Sequence, residues 1–365
     1  MQTIMPYKTI GIIGGGQLGR MMALAAKAMG YYTAVLDPTP TCPCGQVADI
    51  EITASYGDLD AIKKLADISD VITYEFENID YDALTYLEKH AYLPQGSSVL
   101  KIAQHRYTEK KTIADMGIPV PEFYLIDSAE RFDEKLFYPS VLKTTMGGYD
   151  GKGQVVIKTA ADAAKARELA ARQECILERW IPFDKEISVI VARSVTGEMS
   201  VFPVAENLHI NNILHQSIVP ARISRELEAR AIDCARKIAD GLNVIGVLAI
   251  EMFVAGGEIY INELAPRPHN SGHYTIDACI TSQFEQHIRA VCGLPLGDTR
   301  LHTPVVMVNI LGEHMDIERL CNLAGKMHLY GKAEAKPGRK MGHINMLGDI
   351  DSSLRAIGNA GIWNG

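Results

Sequence analysis

The chain has 365 residues, of which 47% are hydrophobic and 22% charged, a composition typical of a globular protein with two or three domains. Its 36 Lys and Arg residues are outnumbered by 44 Asp and Glu residues, which gives a net charge of −8, and no basic stripe indicates nucleic-acid binding. The longest apolar runs are shorter than the roughly 20 residues that cross a membrane, and the first residues show no signal-peptide pattern, so we expect a cytoplasmic protein.

The seven cysteines are spread along the chain, and only Cys42 and Cys44 lie close together. A proline separates these two, and no Cys-x-x-Cys or Cys/His ligand pattern is present. Reduced thiols of a cytosolic protein are the simplest interpretation.

Residues 1–100 alternate strand and helix patterns, which predicts a parallel sheet with crossover helices. The predicted strands are Thr9–Ile13, Thr33–Leu36, Asp49–Ile52 and Val71–Tyr74, and the predicted helices are Gln17–Met29, Leu59–Ala66 and Asp82–His90. We therefore assign residues 1–100 to a Rossmann-like N-terminal domain.

A glycine-rich turn follows the first strand, where Gly14, Gly16 and Gly19 spell G-x-G-x-x-G and Asp37 ends the next strand. Taken literally, this pattern is a dinucleotide-binding fingerprint. The pattern alone is weak, because any tight strand-to-helix turn beside a ligand favours glycine. The helix N-terminus after the turn binds anions in general, including the phosphate of a mononucleotide-like substrate. Nothing later in the chain resembles a hydride-transfer site, so a nicotinamide cofactor is the weaker alternative.

The most informative segment is Val141–Gln154, VLKTTMGGYDGKGQ. An apolar strand pattern ends at Lys143, and the loop after it holds a second lysine, Lys152, and four glycines: Gly147, Gly148, Gly151 and Gly153. Glycine lets successive backbone N–H groups turn toward phosphate oxygens, and the two ammonium groups add charges that a polyphosphate attracts. A solvated hairpin turn is the alternative, and a pair of carboxylates further along the chain decides between the two.

The middle of the chain continues with mixed strand and helix patterns. They predict a helix over Ala160–Ala171, strands at Ile176–Ile181 and Ile187–Ala192, a strand followed by the polar loop ENLHINNILHQ between Glu198 and Ile218, and a helix over Arg225–Gly241.

Two apolar runs around Gly256 and Gly257 then predict a β-hairpin, which brings Glu251 level, within about one residue, with Asn262 and Glu263. Unpaired carboxylates in apolar strands are costly to bury, so they need a partner. A buried Arg or Lys is one candidate. A divalent cation is the more specific hypothesis, because Mg²⁺ prefers carboxylates together with substrate phosphates. The glycine-rich loop and the two carboxylates together indicate ATP as a ligand.

The last part of the chain is predicted to hold a helix over roughly Ile276–Val291 and strands near Val305–Leu311 and His343–Leu347, while Ser352–Gly365 carries no pattern that we interpret. Four basic residues cluster there in an otherwise acidic protein: Lys332, Lys336, Arg339 and Lys340. A solvated basic loop and a site for a phosphate monoester both fit this cluster.

With these motifs in order, the chain resembles the ATP-grasp superfamily and, within it, the N5-carboxyaminoimidazole ribonucleotide synthetase family of ATP-dependent carboxylases. The resemblance spans nearly the whole chain and is carried by GGGQLGRM at Gly14–Met21, YEFEN at Tyr74–Asn78, KTTMGGYDGKGQ at Lys143–Gln154, NELAPRPHNSGH at Asn262–His273 and PGRKMGHI at Pro337–Ile344. It implies an α/β fold, α+β in places, with the Rossmann-like domain followed by an ATP-grasp domain over 101–300, a lid subdomain within it over about 120–182, and a small C-terminal domain over 301–365.

The resemblance also implies how ATP is bound. Arg106 and Lys143 would contact its phosphates, Glu186 its ribose hydroxyls, and His209 would lie near the nucleotide. Mg²⁺ would be held by Glu251 and Glu263, assisted by Asn262. The adenine would lie against Glu178, Arg179, Trp180 and Ile181, under a mobile lid formed by Gly148, Tyr149, Asp150, Gly151, Lys152, Gly153 and Gln154.

For 5-aminoimidazole ribonucleotide, the resemblance implies that Lys332 and Arg339 bind the 5′-phosphate. Arg267 and His269 would position the carboxylating species, and His269 or Asp150 would accept a proton. The remaining contacts would come from Gln17, Leu18, Glu75, Asn78, Asn270 and the catalytic lid residue Tyr149. In two places the chain departs from the family, which often has Asp where this chain has His105 and Trp where it has Tyr274.

The implied reaction is the carboxylation of 5-aminoimidazole ribonucleotide with ATP and bicarbonate, through carboxyphosphate, by a homodimer. Another ATP-grasp ligase, such as a formate-dependent transformylase or biotin carboxylase, is the nearest alternative, and HNSGH and PGRKMGHI argue against both. A nicotinamide oxidoreductase and a non-catalytic nucleotide sensor are weaker alternatives. The presence of both carboxylates and both loop lysines argues against the sensor.

Overall fold

The computed structural model describes residues 2–148 and 153–363. Within these ranges the strands form three sheets. None of the helices in these ranges combines the length and the apolar character needed to cross a bilayer.

The N-terminal unit is a parallel sheet of order β3-β2-β1-β4 with helices between the strands. Its elements are β1 (Thr9–Ile13), α1 (Gln17–Ala28), β2 (Tyr32–Asp37), β3 (Ile50–Thr53), α2 (Leu59–Ile68), β4 (Val71–Tyr74) and α3 (Tyr81–His90). Strands β1 and β4 are buried on both faces, which agrees with their continuous apolar sequence. The predicted Rossmann-like sheet is therefore present, and its elements begin and end within a few residues of the predicted positions.

Two helices, α4 (Ser98–Gln104) and α5 (Arg106–Asp115), lead from this unit to a small antiparallel sheet. That sheet has the order β5-β8-β6-β7 and carries two helices on its surface. Its elements are β5 (Phe123–Ile126), α6 (Ala129–Lys135), β6 (Ser140–Thr144), β7 (Gln154–Ile157), α7 (Ala163–Ala170) and β8 (Cys175–Arg179). Because Lys143 pairs with Gln154, the glycine-rich loop is the connection between β6 and β7.

A long antiparallel sheet forms the centre of the molecule, in the order β14-β13-β9-β11-β12-β15-β17-β16, with β10 paired to β9. Its elements up to residue 291 are β9 (Lys185–Arg193), β10 (Met199–Val201), β11 (Ala205–Ile210), β12 (Ile213–Val219), α8 (Arg225–Gly241), β13 (Gly246–Ala255), β14 (Glu258–Ala265), α9 (Thr275–Ala278) and α10 (Gln283–Val291). Helix α8 covers one face and shares a buried apolar core with β9, β13 and β14.

The predicted polar loop within ENLHINNILHQ is wrong, because this segment forms the hairpin of β11 and β12. Its turn consists of Asn211 and Asn212, with φ values of 51° and 63° that asparagine tolerates better than most residues. This strand was missed because its polar residues Asn207 and His209 line a cleft. The segment therefore lacks the usual alternation of buried apolar and exposed polar residues.

The predicted single helix over Ile276–Val291 is also wrong. It is divided into α9 and α10, and Ser282 begins the second helix by accepting a hydrogen bond from the backbone of Glu285. Between the two helices, the chain pairs with a distant segment, since Thr281 N–H donates to the carbonyl of Asp298. Long-range pairing of this kind outweighs local helical periodicity.

The C-terminal elements are β15 (Val305–Leu311), α11 (Ile317–Cys321), β16 (Lys326–Leu329), β17 (Lys340–Leu347) and α12 (Ile350–Asn359). Strands β15, β17 and β16 continue the central sheet through the pairing of β12 with β15. Strand β16 was not predicted, and neither was α12, although Asp349 caps that helix by accepting a hydrogen bond from Ser352 N–H.

The N-terminal unit is joined to the central unit by buried contacts of α1 with α10. Phe284, Ile288 and Val291 on α10 share an apolar core with Ile10 and Met22. The chain after β4 contacts the segment after β14, where Glu77 pairs with Arg267 of the candidate site.

Candidate active site

A cleft of about 1030 Å³ lies between the small antiparallel sheet and the central sheet. It brings together most of the described residues that the sequence assigned to the nucleotide and the metal. From that set, the residues that line it are Arg106, Lys143, Gly148, Gln154, Glu178, Arg179, Trp180, Ile181, Glu186, His209, Glu251, Asn262 and Glu263. Four residues assigned to the ribonucleotide line it as well, namely Asn78, Arg267, His269 and Asn270.

The middle of the glycine-rich loop, Tyr149, Asp150, Gly151 and Lys152, lies outside the described residues. The roles assigned to these four residues therefore stay predictions. Gly153 begins the described part after the loop at a φ of 73°, a value that favours glycine, and its carbonyl accepts a hydrogen bond from the backbone of Thr144.

The two predicted metal carboxylates face the cleft from adjacent strands. Glu251 on β13 pairs in register with Glu263 on β14, as the hairpin pattern predicted. Glu263 accepts a hydrogen bond from Arg106 at 3.1 Å, and Glu251 lies 3.5 Å from His269 Nε2. Burial and the negative charge of Glu263 raise the pKa of Glu251 to about 7. Burial would also raise the pKa of Glu263, but the charge and hydrogen bond of Arg106, together with the charges of Lys143 and Arg267, outweigh burial and hold the pKa below its usual range.

This arrangement fits a divalent cation. Two carboxylates facing one cleft repel each other, and a cation between them would remove that repulsion. Among residues 2–148 and 153–363, no group of three or more His, Cys, Asp or Glu side chains is placed to hold a metal. A pair of carboxylates is nevertheless the usual protein contribution to Mg²⁺, because waters and substrate phosphates complete its coordination.

Cationic side chains face the same cleft from the small antiparallel sheet and from α5. Lys143 Nζ lies 2.8 Å from the carboxylate of Glu178, which is almost fully buried. Burial alone would raise the pKa of Glu178, but the charges of Lys110 and Lys143 outweigh it and lower that pKa to about 2. Arg106 also donates to the carbonyl of Gly148, so it joins the glycine-rich loop to Glu263. His105 occupies the position before it and caps α5 through Nδ1, which accepts from Thr108 N–H at 3.3 Å.

The other end of the cleft is apolar and flat. Trp180 and Ile181 come directly after β8, and the ring of Phe183 stacks on that of Phe253, with centroids 4.7 Å apart and planes at 7°. Phe183 and Phe253 were not predicted as site residues. Phe253 lies two residues after Glu251 on the same face of β13, so strand periodicity contained the signal.

A carboxylate and an imidazole face each other beside this apolar end. Glu186 Oε2 lies 2.6 Å from Nδ1 of His209. Burial lowers the pKa of His209, but the hydrogen bond that its Nδ1 donates to Glu186, together with the charges of Glu251 and Glu186, outweighs burial, so the net shift is upward. The pair offers a carboxylate oxygen for hydroxyl groups of a ligand.

The segment Pro266–Asn270 holds the cationic and polar groups that follow Glu263 in the chain. Arg267 Nη2 lies 2.7 Å from Glu77, which comes after β4. His269 is held through its backbone N–H, which donates to Gln283 Oε1 at 2.9 Å. The side-chain amide of Asn270 is buried and has no hydrogen-bond partner among the described residues. A buried amide without a partner is costly, so Asn270 is a candidate for contact with a ligand.

Five predicted substrate residues do not line this cleft: Gln17, Leu18, Glu75, Lys332 and Arg339. The side chain of Leu18 belongs to the N-terminal core. Lys332 donates to the carbonyl of Lys340 at 2.7 Å, and its preceding residue Gly331 accepts a hydrogen bond from Gln46 of the N-terminal unit. Burial, followed by the charge of Arg339, lowers the pKa of Lys332 to about 8.

The glycine turn after β1 differs from its predicted role as an anion site. Gly16 N–H and Gly19 N–H donate to the carboxylate of Glu75 at 2.5 and 2.6 Å, and Gly15 N–H donates to Asp37 at 2.7 Å. The chain's own carboxylates therefore occupy these three donors, and the role of the turn in binding the ribonucleotide stays a prediction. Asp37 binds the turn itself, whereas a dinucleotide fingerprint would direct it to a ribose.

Domain families match the chain in three consecutive segments. A ribonucleotide synthetase pre-ATP-grasp domain matches residues 7–104, an ATP-grasp domain matches residues 111–284, and a phosphoribosylaminoimidazole carboxylase C-terminal domain matches residues 305–357. The predicted ATP-grasp fold with a parallel-sheet N-terminal unit and a small C-terminal unit is thereby confirmed. The exact domain boundaries stay predictions.

Relatives match over nearly the full length. N5-carboxyaminoimidazole ribonucleotide synthase of Bacillus subtilis is 58% identical over 355 residues, which cover 95% of this chain and 93% of that protein. A crystal structure of an N5-carboxyaminoimidazole ribonucleotide synthetase in complex with ADP has 63% identity and a TM-score of 0.97, covering 100% of this chain and 99% of that one.

A third relative extends the comparison to the second substrate. The Aspergillus clavatus N5-carboxyaminoimidazole synthase, solved with ADP and 5-aminoimidazole ribonucleotide, has 30% identity and a TM-score of 0.90 over 97% of both chains. The identity of the nearer relatives, the extent of the matches and the three matched domains lead to one conclusion. The chain belongs to the N5-carboxyaminoimidazole ribonucleotide synthase family of ATP-grasp ligases.

Proposed function

We propose that this protein carboxylates 5-aminoimidazole ribonucleotide to N5-carboxyaminoimidazole ribonucleotide, with ATP and bicarbonate as co-substrates, in purine biosynthesis. The observation that carries the proposal is the cleft in which Glu251 and Glu263 face Lys143 and Arg106. Paired acidic and basic groups of this kind suit a nucleoside triphosphate with its metal. Two of the relatives named above were solved with ADP, and one of these two also with the ribonucleotide.

ATP would lie along the cleft with its base at the apolar end. Trp180, Ile181 and Phe253 offer apolar surface for the adenine, and Glu186 offers a carboxylate to the ribose hydroxyls. The triphosphate would then extend toward Lys143, whose ammonium group faces the cleft. The glycine-rich loop would cover the phosphates and exclude water from them.

Glu251 and Glu263, assisted by Asn262, would hold Mg²⁺. When bound, the cation supplies positive charge to the phosphate oxygens during phosphoryl transfer. Arg106 and Lys143 contribute charge of the same sign from the other side of the cleft, so negative charge that develops on the transferred group is offset.

Bicarbonate is a poor electrophile, and phosphorylation would give its carbon a good leaving group. An oxygen of bicarbonate attacks the γ-phosphorus, and the bond to the bridging oxygen of ADP breaks, which yields carboxyphosphate and ADP. The exocyclic amine of the ribonucleotide then attacks the carboxyl carbon, or CO₂ released from it, and inorganic phosphate leaves. The amine loses one proton as the carbamate forms, and His269 or Asp150 is the proposed acceptor.

Arg267, His269 and Asn270 would orient the reacting carboxyl group and the ribonucleotide. The ion pair with Glu77 orients the Arg267 guanidinium, and the two flanking prolines restrict the segment. Lys332 and Arg339 would bind the 5′-phosphate, with Gln17, Leu18, Glu75 and Asn78 near the ribonucleotide. We further propose that the reaction takes place in the cytoplasm and that the protein is a homodimer. All seven cysteines lie in the described ranges as free thiols, which suits a reducing compartment.

A phosphate-release assay tests the proposed function. With ATP, Mg²⁺, bicarbonate and 5-aminoimidazole ribonucleotide together, we expect rapid release of phosphate and formation of the carbamate product. Omission of the ribonucleotide or of bicarbonate should greatly reduce release. The proposal would be wrong if formate in place of bicarbonate, or biotin in place of the ribonucleotide, gave an equal rate of phosphate release. It would also be wrong if no combination of substrates released phosphate.

A further inference from the structure

Strand β14 carries a β-bulge at the candidate metal site. Its register with β13 steps from Glu251 opposite Glu263 to Met252 opposite Ile261, so Asn262 is the extra residue. In a regular strand, consecutive side chains point to opposite faces, yet Asn262 and Glu263 both line the cleft. A bulge changes the direction of side chains in this way, and bulges are frequent next to active sites.

The bulge also turns two consecutive carbonyl groups of β14 toward α5. The carbonyl oxygens of Ile261 and Asn262 both accept hydrogen bonds from Lys110 Nζ, the first at 3.0 Å. Carbonyl groups that point at one position repel each other, and an ammonium group with three donors can bind both of them. Lys110 is only 2% exposed, and its charge also acts on the carboxylate of Glu178, whose pKa it lowers.

The neighbouring residue on α5 holds the other side of the bulge. Glu109, also 2% exposed, accepts a hydrogen bond from Leu264 N–H at 2.7 Å. Arg106, one turn earlier on the same helix, contacts the carboxylate of Glu263 itself. Three side chains of α5 thus contact the four consecutive residues 261–264 of β14. Because β14 lies at the end of the sheet order, these contacts take the place of a further strand.

We propose that Lys110 is a positioning residue for phosphoryl transfer. Its ammonium group holds the bulge of β14, supported by Glu109, and the bulge directs Asn262 and Glu263 to the cleft together. Lys110 does not line the cleft, so it acts through these two residues. The inference rests on the metal-binding role proposed for Glu263.

The test compares two methionine variants of adjacent residues on α5. Lys110→Met keeps the length of the side chain and removes its charge. Lys111→Met is the matched control, because Lys111 is exposed and pairs with Asp115 at 2.9 Å. For each protein, the Kd of ADP is measured by calorimetry without Mg²⁺ and with saturating Mg²⁺. We expect Lys110→Met to lose about 10-fold or more of the gain in affinity that Mg²⁺ provides, while Lys111→Met keeps the wild-type gain.

Hydrogen exchange without any ligand gives a second measurement that does not depend on the metal. We expect the backbone amide of Leu264 to exchange faster in Lys110→Met than in Lys111→Met, because the bulge is no longer held. The proposal would be overturned if Lys110→Met changed neither the exchange rate of the Leu264 amide nor the increase in ADP affinity that Mg²⁺ provides.

The failure of this inference can be told apart from failure of the metal role. If Glu263→Gln keeps the full magnesium gain, the role of Glu263 is wrong. If Glu263→Gln loses the gain and Lys110→Met keeps it, only the role of Lys110 is wrong.

Should Lys110→Met not fold, a second pair of variants decides. Glu109→Gln keeps an oxygen acceptor for Leu264 N–H and should retain the gain, Glu109→Leu should lose it, and equal behaviour of the two would contradict the proposal.

Discussion

The glycine turn after β1 and the cleft between the two antiparallel sheets use buried acidic side chains in opposite ways. At the turn, Glu75 and Asp37 accept backbone hydrogen bonds from the turn itself, so every carboxylate oxygen of these two residues has a partner from the same chain. In the cleft, Glu251 and Glu263 lie in register on adjacent strands, and Glu263 accepts a hydrogen bond from Arg106. Glu251 lies 3.5 Å from His269, and burial lowers the pKa of that imidazole well below its usual value, so the ring does not offset the charge of Glu251.

The carboxylates at the turn are hydrogen-bonded within the fold, whereas we expect the carboxylates of the cleft to bind a metal with its nucleotide. A sequence motif alone would have suggested the reverse, because G-x-G-x-x-G is the better-known nucleotide pattern. Changes at the turn should therefore reduce stability, and changes in the cleft should reduce activity.

The largest effect is expected in the cleft. Glu263→Gln should lower kcat by about 100-fold or more. A neutral amide binds the metal ion more weakly than a carboxylate does, so the negative charge that develops on the transferred phosphoryl group is less well stabilised. The melting temperature should stay close to that of the wild-type protein, since the amide oxygen still accepts the hydrogen bond from Arg106 and the repulsion from Glu251 is removed. Phosphate release and thermal unfolding measure the two effects. Turnover at the wild-type rate would exclude a metal role for Glu263.

The corresponding change at the turn should affect stability. Glu75→Ala removes a charged acceptor and leaves Gly16 N–H and Gly19 N–H buried without a partner, which we expect to lower the free energy of unfolding by about 2–4 kcal/mol. Glu75→Gln keeps one oxygen acceptor and should lose about half as much. Urea unfolding of both variants tests this. If Glu75→Ala were as stable as the wild-type protein, the turn would not depend on its carboxylate.

A smaller effect is expected at the proposed phosphate site. Arg339→Ala should raise the KM for the ribonucleotide about 10-fold, because one charge-assisted hydrogen bond to the 5′-phosphate is lost. The KM for ATP should stay unchanged. Lys336→Ala is the control, because Lys336 belongs to the same basic cluster but pairs with Glu334 at 2.7 Å. A selective rise in the KM for ATP would mean that the two phosphate sites are exchanged.

The smallest effect is a dependence on pH at the same site. Burial lowers the pKa of Lys332 to about 8, so the free enzyme carries this charge below pH 8 and loses it above. Since the charged form attracts the phosphate, kcat/KM for the ribonucleotide should fall as pH rises through about 8. Lys332→Arg keeps its charge throughout this range and should remove the fall. An equal fall in that variant would assign the effect to another group.

Local patterns were sufficient to predict features that depend on short-range geometry. The hairpin around Gly256 and Gly257, with φ values of 57° and 80°, brings Glu251 level, within about one residue, with Asn262 and Glu263, and the bulge then determines the pairing with Glu263. The parallel sheet of residues 1–100 results in the same way from alternating strands and helices. The substrate roles came from the family resemblance, and they stay predictions for the individual residues.

Other features depend on contacts that no local pattern contains. The hairpin of β11 and β12 has polar side chains because they face the cleft, so its sequence is like that of a loop. Lys110 and Glu109 were missed because their partners are backbone groups of a strand about 150 residues later, at a bulge. The occupied donors at the glycine turn depend on Glu75, which lies 59 residues after Gly16 in the chain.

Crystals grown with ADP and Mn²⁺ as a substitute for Mg²⁺ would test the role of the paired carboxylates most directly, by anomalous scattering at the manganese edge. We predict a metal peak about 2 Å from carboxylate oxygens of both Glu251 and Glu263, next to the phosphates of ADP. A peak held by other residues, or ADP bound with its phosphates away from this pair, would contradict the central role of the two glutamates.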